Sequence, residues 1–185
     1  MAFNIKYLPL SLIATMAASF VFCMHVAMNH PETTPGPAQS LNDYTPVIYV
    51  VAASMCMYHV FLFYQGYTAV AELQKAEKAF RDKKTKEAPD IKQIKYGVEN
   101  SNVVAANRTA GNYTEQLVPF LLSLVLYSTC VSVQGAVKWG WIWLFFRSFY
   151  LIAFKLPFPC LLISTVPAYY CVWFMMGATL VTISN

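Results

Sequence analysis

The ionisable residues of this 185-residue chain are gathered into one stretch, and that confinement limits the fold more than any motif does. Eight of the 13 Lys and Arg, and six of the nine Asp and Glu, lie between Glu72 and Glu99. Outside it the sequence is mostly apolar, in runs of about 20 residues, the helix length needed to cross roughly 30 Å of hydrocarbon. Charged side chains make up 12% of the chain, against roughly 25% in soluble domains. A water-soluble globular domain is excluded, and the lipid bilayer is the expected surrounding. The net charge of +4 is therefore read as membrane topology. A nucleic-acid surface would need interleaved basic and aromatic residues on a soluble scaffold, and this sequence has none.

Turn residues and charge divide the chain into five helical segments, an all-α integral membrane fold. Residues 1–30 hold the first apolar run, Tyr7 to Met28, which is long enough for an N-terminal transmembrane helix. Residues 31–46 form an exposed loop, because Pro31, Pro35, Pro37 and Pro46 among small polar residues cannot continue a helix. A four-helix core is expected over 47–185, with a basic connection at 71–98. Its first helix runs from Val47 to Val70 and continues in Ala71-Glu-Leu-Gln-Lys-Ala-Glu-Lys, whose mixed charges three and four apart suit a helix leaving the membrane. His59, alone on that apolar helix, reads as a packing residue. Asp82 to Lys95 is expected to be a solvated loop, followed by a helix from Glu99 to Val133. A short connection, Gln134-Gly135-Ala136, leads to a helix from Val137 to Phe154. The last helix runs from Cys160 to Ile183, after Pro157 and Pro159.

Short basic loops resist translocation, so the 71–98 connection belongs on the cytoplasmic-equivalent side, with Lys6 and Lys155. The sequons at Asn107 and Asn112 fall at that same end and should carry no glycan. An endoplasmic reticulum, mitochondrial or plastid membrane all suit this pattern. The five cysteines lie in apolar surroundings without CxxC spacing, so neither a metal site nor a disulfide framework is expected.

Arg108, Glu115 and Arg147 are the charges placed inside the expected membrane helices of the core away from the loops, each costing about 2.5–3.5 kcal/mol if it faces lipid. Arg108, Asn112 and Glu115 are four and three residues apart and share one helical face. Arg147 and Tyr150 share a face of the following helix. Two such stripes on consecutive antiparallel helices could surround a small zwitterionic or anionic ligand. Equally, Arg108 and Arg147 could neutralise Glu115 within the bundle or across a subunit interface, fixing register.

The run Arg108-Thr-Ala-Gly-Asn112-Tyr-Thr-Glu115-Gln-Leu-Val-Pro119 resembles the signature of the MAPEG family, membrane-associated proteins of eicosanoid and glutathione metabolism. The segment Trp143-Leu-Phe-Phe-Arg147-Ser-Phe-Tyr150-Leu-Ile-Ala-Phe154 is similar to the third core helix of that family. The resemblance spans residues 47–183 and leaves the first helix without a counterpart. It implies an up-down four-helix protomer that trimerises and binds glutathione between protomers near the cytoplasmic face. Arg108, Asn112, Glu115, Arg147 and Tyr150 would then contact the tripeptide, whose carboxylates suit Arg forks and whose ammonium suits Glu115.

Departures from the family pattern concern thiol activation. Phe154 stands where many members carry a Tyr that contacts the cofactor. The stretch Leu156 to Leu162 lacks the Arg that stabilises the thiolate in the synthase branch, and Lys155 is its nearest basic residue. Lowering a thiol pKa from about 8.5 requires a nearby cation or donor. The basic residue at the end of the family's first core helix has Lys75 and Lys78 as its counterparts here. Two functions follow as expectations. One is a glutathione-dependent transferase or peroxidase acting on lipophilic electrophiles from the bilayer. The other is a non-catalytic accessory subunit of a larger hetero-oligomeric membrane complex.

Overall fold

A computed structural model describes residues 36–37, 40–82, 88–97, 100–156 and 158–184, and every regular element among them is helical. The expected helix within 1–30, and most of the expected loop at 31–46, lie outside the described residues. A 3-10 turn at Leu41–Tyr44 opens into α1, Thr45–Arg81. Then come α2 (Ile91–Tyr96), α3 (Ser101–Cys130), α4 (Val133–Ser148), α5 (Tyr150–Ala153) and α6 (Phe158–Ser184).

The long helices alternate in direction, and hydrogen bonds mark the pairing. Near one end of the bundle the Tyr44 hydroxyl donates to Thr129 Oγ1 (3.0 Å), joining the start of α1 to the end of α3. Towards the other end Gln65 donates to Asn107 (2.9 Å), and the Asn100 amide donates to Glu72 (2.8 Å). α6 runs back along α4, where the Ser164 hydroxyl donates to the Phe146 carbonyl (2.6 Å) and Trp139 meets Phe174. Lys155 stands over the ring of Tyr64 on α1.

Aromatic packing closes the core. Trp143 of α4 stacks on Phe120 of α3 with ring centres 3.8 Å apart, and Tyr113 meets Phe61 of α1 edge-on at 4.9 Å. The Tyr113 hydroxyl donates to the Ser54 carbonyl (2.8 Å) and so satisfies the one polar atom of a buried ring. Gly140 brings α4 close to its neighbours: a Cβ there would sit 2.6 Å from Val50 and 3.1 Å from Leu124. Small residues at such crossings let membrane helices approach closely enough to gain dispersion energy.

The ends of α3 (Ser101–Cys130) and α6 (Phe158–Ser184) and the start of α1 differ from the sequence expectation by one to three residues, and three further differences have a local cause. α4 begins at Val133, so Gln134-Gly135-Ala136 is helical and the turn is Val131–Ser132. Ser132 caps α4 by accepting from the Gly135 amide (3.1 Å). Gly135 serves close packing, since a Cβ there would meet Tyr127 at 2.7 Å. Within the expected loop, Asp90 caps the short helix α2 by accepting from the Lys92 amide. The expected helix from Val137 to Phe154 is interrupted at Phe149, which separates α4 from α5.

Among the described residues, two helical stretches have the length and composition to cross a membrane, Leu41–Arg81 and Cys160–Ser184. α3 spans 30 residues, but its first half carries Asn102, Asn107, Arg108, Asn112 and Glu115, which lower its hydropathy. α4 has only 16 residues.

Candidate functional site

The 108–115 stripe faces away from the core of its own protomer. Ala106, Ala110, Tyr113, Leu117 and Phe120 fill the buried side of α3, whereas Arg108 and Glu115 are exposed and Asn112 is half-buried. The spacing of four and three places the three polar residues together on the outer side. Asn112 donates to the carbonyl of Arg108 (2.9 Å), so its amide nitrogen is engaged on its own helix. Among the described residues, no side chain of the protomer forms an ion pair with Arg108 or Glu115. Pro119 follows one turn later inside α3 and, lacking an N–H, leaves the Glu115 carbonyl without its helical donor.

Arg147 and Tyr150 point the opposite way. Arg147 is completely buried, with its guanidinium carbon 4.6 Å from the ring centre of Tyr150, 5.4 Å from Trp143 and 5.7 Å from Tyr169. One terminal nitrogen donates to the Tyr150 hydroxyl, while Nε and Nη2 have no hydrogen-bond partner. The buried Trp143 indole N–H also lacks an acceptor. The interruption at Phe149 does not separate the pair, and the Tyr150 carbonyl accepts from Thr109 of α3 (3.1 Å). The five residues singled out from sequence thus form two groups that the protomer holds apart, three on its outer surface and two in its interior. Neither arginine pairs with Glu115 within the protomer.

Between the groups lies Gln116, half-buried and one turn beyond Asn112, whose amide donates to the Tyr169 hydroxyl of α6. Sequence reasoning did not select Tyr113, Gln116, Trp143 or Tyr169. The available signal was Arg147 itself, because a cation in an apolar helix with no carboxylate nearby needs aromatic faces or phenols around it.

At the charged end, Glu72 accepts from Lys75 (2.6 Å), Asn100 and Asn102. The Lys75 hydrogen bond, followed by that from Asn100, holds the Glu72 carboxyl below its ordinary pKa. Lys75 is thereby engaged on its own helix. Lys155 is exposed, with Nζ 5.3 Å from the Tyr64 ring centre, and Phe154 packs against Tyr150.

The fold and these polar groups define a helical, membrane-associated protein that carries one set of polar residues outward and another inward. The chain belongs to the MAPEG family, whose sequence profile matches residues 47–181, most of its length. That family includes glutathione-related transferases and synthases. No curated protein and no solved structure matches the chain.

Proposed function

We propose that this chain is a glutathione-binding membrane protein that assembles as a trimer, with Arg108, Asn112 and Glu115 of each protomer turned towards a neighbour. The observation that carries this reading is the outward stripe on α3, where an arginine and a carboxylate lack ion-pair partners on the protomer. Facing lipid, each would cost about 2.5–3.5 kcal/mol. A second copy and a zwitterionic tripeptide remove that cost together. The peptide carboxylates suit the Arg108 fork, its ammonium suits Glu115, and its amides suit Asn112. Arg147 and Tyr150 supply the inner part of the site, with unsatisfied donors awaiting an anionic acceptor. A lipophilic electrophile enters from the bilayer, which gives transferase or peroxidase chemistry.

A second reading has its own observation in support. Among the described residues at the end of α5, Lys155 stands over Tyr64 and Phe154 offers no hydroxyl with which to stabilise a thiolate. In that reading the chain is a non-catalytic accessory subunit of a hetero-oligomeric membrane complex. Calorimetry with reduced glutathione, together with native mass measurement of the purified assembly, separates the two. Saturable millimolar or tighter binding to a homotrimer supports the enzyme reading. No binding, with stoichiometric co-purification of other subunits, supports the accessory reading and overturns the first.

A further inference from the structure

The aromatic enclosure of Arg147 is uneven. Trp143 and Tyr150 are 0% and 2% exposed, whereas Tyr169 is half-buried and reaches the surface of the protomer. Of the three rings lying over the guanidinium, Tyr169 is therefore the one between Arg147 and the outside. Its hydroxyl is pinned by Gln116, which neighbours Asn112 on α3 and so borders the outward stripe.

We propose that Gln116 and Tyr169 form a latch between the outward stripe and the buried Arg147. Closed, the hydrogen bond holds the phenol ring over the guanidinium. An anionic group arriving beside Asn112 competes for the Gln116 amide, because a carboxylate is a stronger acceptor than a phenol. The freed ring then moves aside and exposes Nε and Nη2 of Arg147, which have no acceptor in the closed state. Pairing a buried, unsatisfied cation supplies the driving force for opening. The identity of the anion rests on the glutathione reading, whereas the latch is a property of the unliganded protein. Gln116 and Tyr169 are positioning residues, and Tyr169 places a hydroxyl near Arg147 from a different helix than Phe154.

The sequence holds three arginines, Arg81, Arg108 and Arg147, so an arginine-directed reagent reports on each separately. The ligand-free, full-length protein is treated with phenylglyoxal, and modification is followed by peptide mass spectrometry with exposed Arg81 as the internal reference. In the natural sequence buried Arg147 should react far more slowly than exposed Arg81. Tyr169→Phe and Gln116→Leu should each raise the Arg147 rate relative to Arg81 by about tenfold, the shift in opening equilibrium that follows loss of one hydrogen bond. Gln116→Glu, whose carboxylate can accept from the phenol, should keep Arg147 protected. A purely structural hydrogen bond would change thermal stability without changing this ratio. Unchanged Arg147 labelling in Tyr169→Phe and Gln116→Leu overturns the latch, and Gln116→Leu alone decides if the Tyr169 variant does not fold. Calorimetry with reduced glutathione on the same samples keeps the two inferences distinct. Labelling that rises in the variants without glutathione binding leaves the latch standing and removes the tripeptide. Glutathione binding with unaltered labelling does the reverse.

Discussion

Arg147 carries a desolvation cost that its aromatic neighbours only partly offset. A cation–π contact contributes about 0.5–2 kcal/mol, while burying an ion costs several kcal/mol even after relaxation. Replacing Arg147 with Met, a side chain of similar length without charge, should therefore leave ligand-free thermal stability within about 1 kcal/mol of the original or raise it. A loss of more than about 3 kcal/mol in detergent melts would mean that the guanidinium is satisfied in the resting protein. Arg108 behaves differently, because its side chain is exposed on the protomer. Arg108→Ala should weaken glutathione binding by about 2 kcal/mol or more, through loss of a charge-assisted pair. Equal affinities for the two proteins in calorimetry would take Arg108 out of the site. Heptad-like spacing made it legible that 108, 112 and 115 share a face, and that 147 and 150 share another. It could not say which way each face points, because Tyr113, Leu117 and Phe120 dictate that by their burial on the other side of α3.

The helices themselves were largely readable, and the errors have local causes. α1 extends through Arg81 as its alternating charges implied, and α6 starts two residues before Cys160. Gly135 belongs to the expected connection 134–136, yet it is helical because Ser132 caps the preceding turn and Tyr127 occupies the space a side chain would need. Asp90, exposed within a run of charge, gave no hydrophobic period to mark the six-residue helix it caps. Gly140 was silent in the sequence because close approach is a property of three helices at once. Gly140→Val should push α4 away from Val50 and Leu124, lowering stability by about 1–3 kcal/mol in detergent melts. An unchanged melting temperature would show that the crossing is loosely packed. The tether at the charged end gives a pH test. Glu72 has a lowered folded-state pKa, so its contribution is present above the ordinary carboxylate range and disappears as pH falls through the lowered value. The exchange protection factors of the Asn102 and Val103 amides, corrected for the slower intrinsic exchange in acid, should fall on acidification through that range, and Glu72→Gln should show low protection already at neutral pH. Exchange that ignores both changes would place the anchorage of α3 in the Asn100 cap alone.

At the scale of the whole molecule, the protomer is polar on opposite sides of one helix: an interior cation among aromatics, and an exterior cation and anion set along α3. Arg108 and Glu115 are two turns apart, about 10 Å along the axis, so a covering partner has to span both. Native mass measurement after gentle solubilisation should therefore return an oligomer, and Arg108→Leu combined with Glu115→Leu should shift the population towards monomer or towards altered stoichiometry. Persistence of the original assembly in that double variant would place the contact between copies elsewhere. The outward stripe also bears on biogenesis. In the proposed trimer, a newly inserted copy would carry two lipid-averse groups until another chain covered them, so its survival would depend on how soon it met a partner. Synthesis in excess of available partners would produce orphans marked by that stripe, tying the abundance of the chain to the rate of assembly.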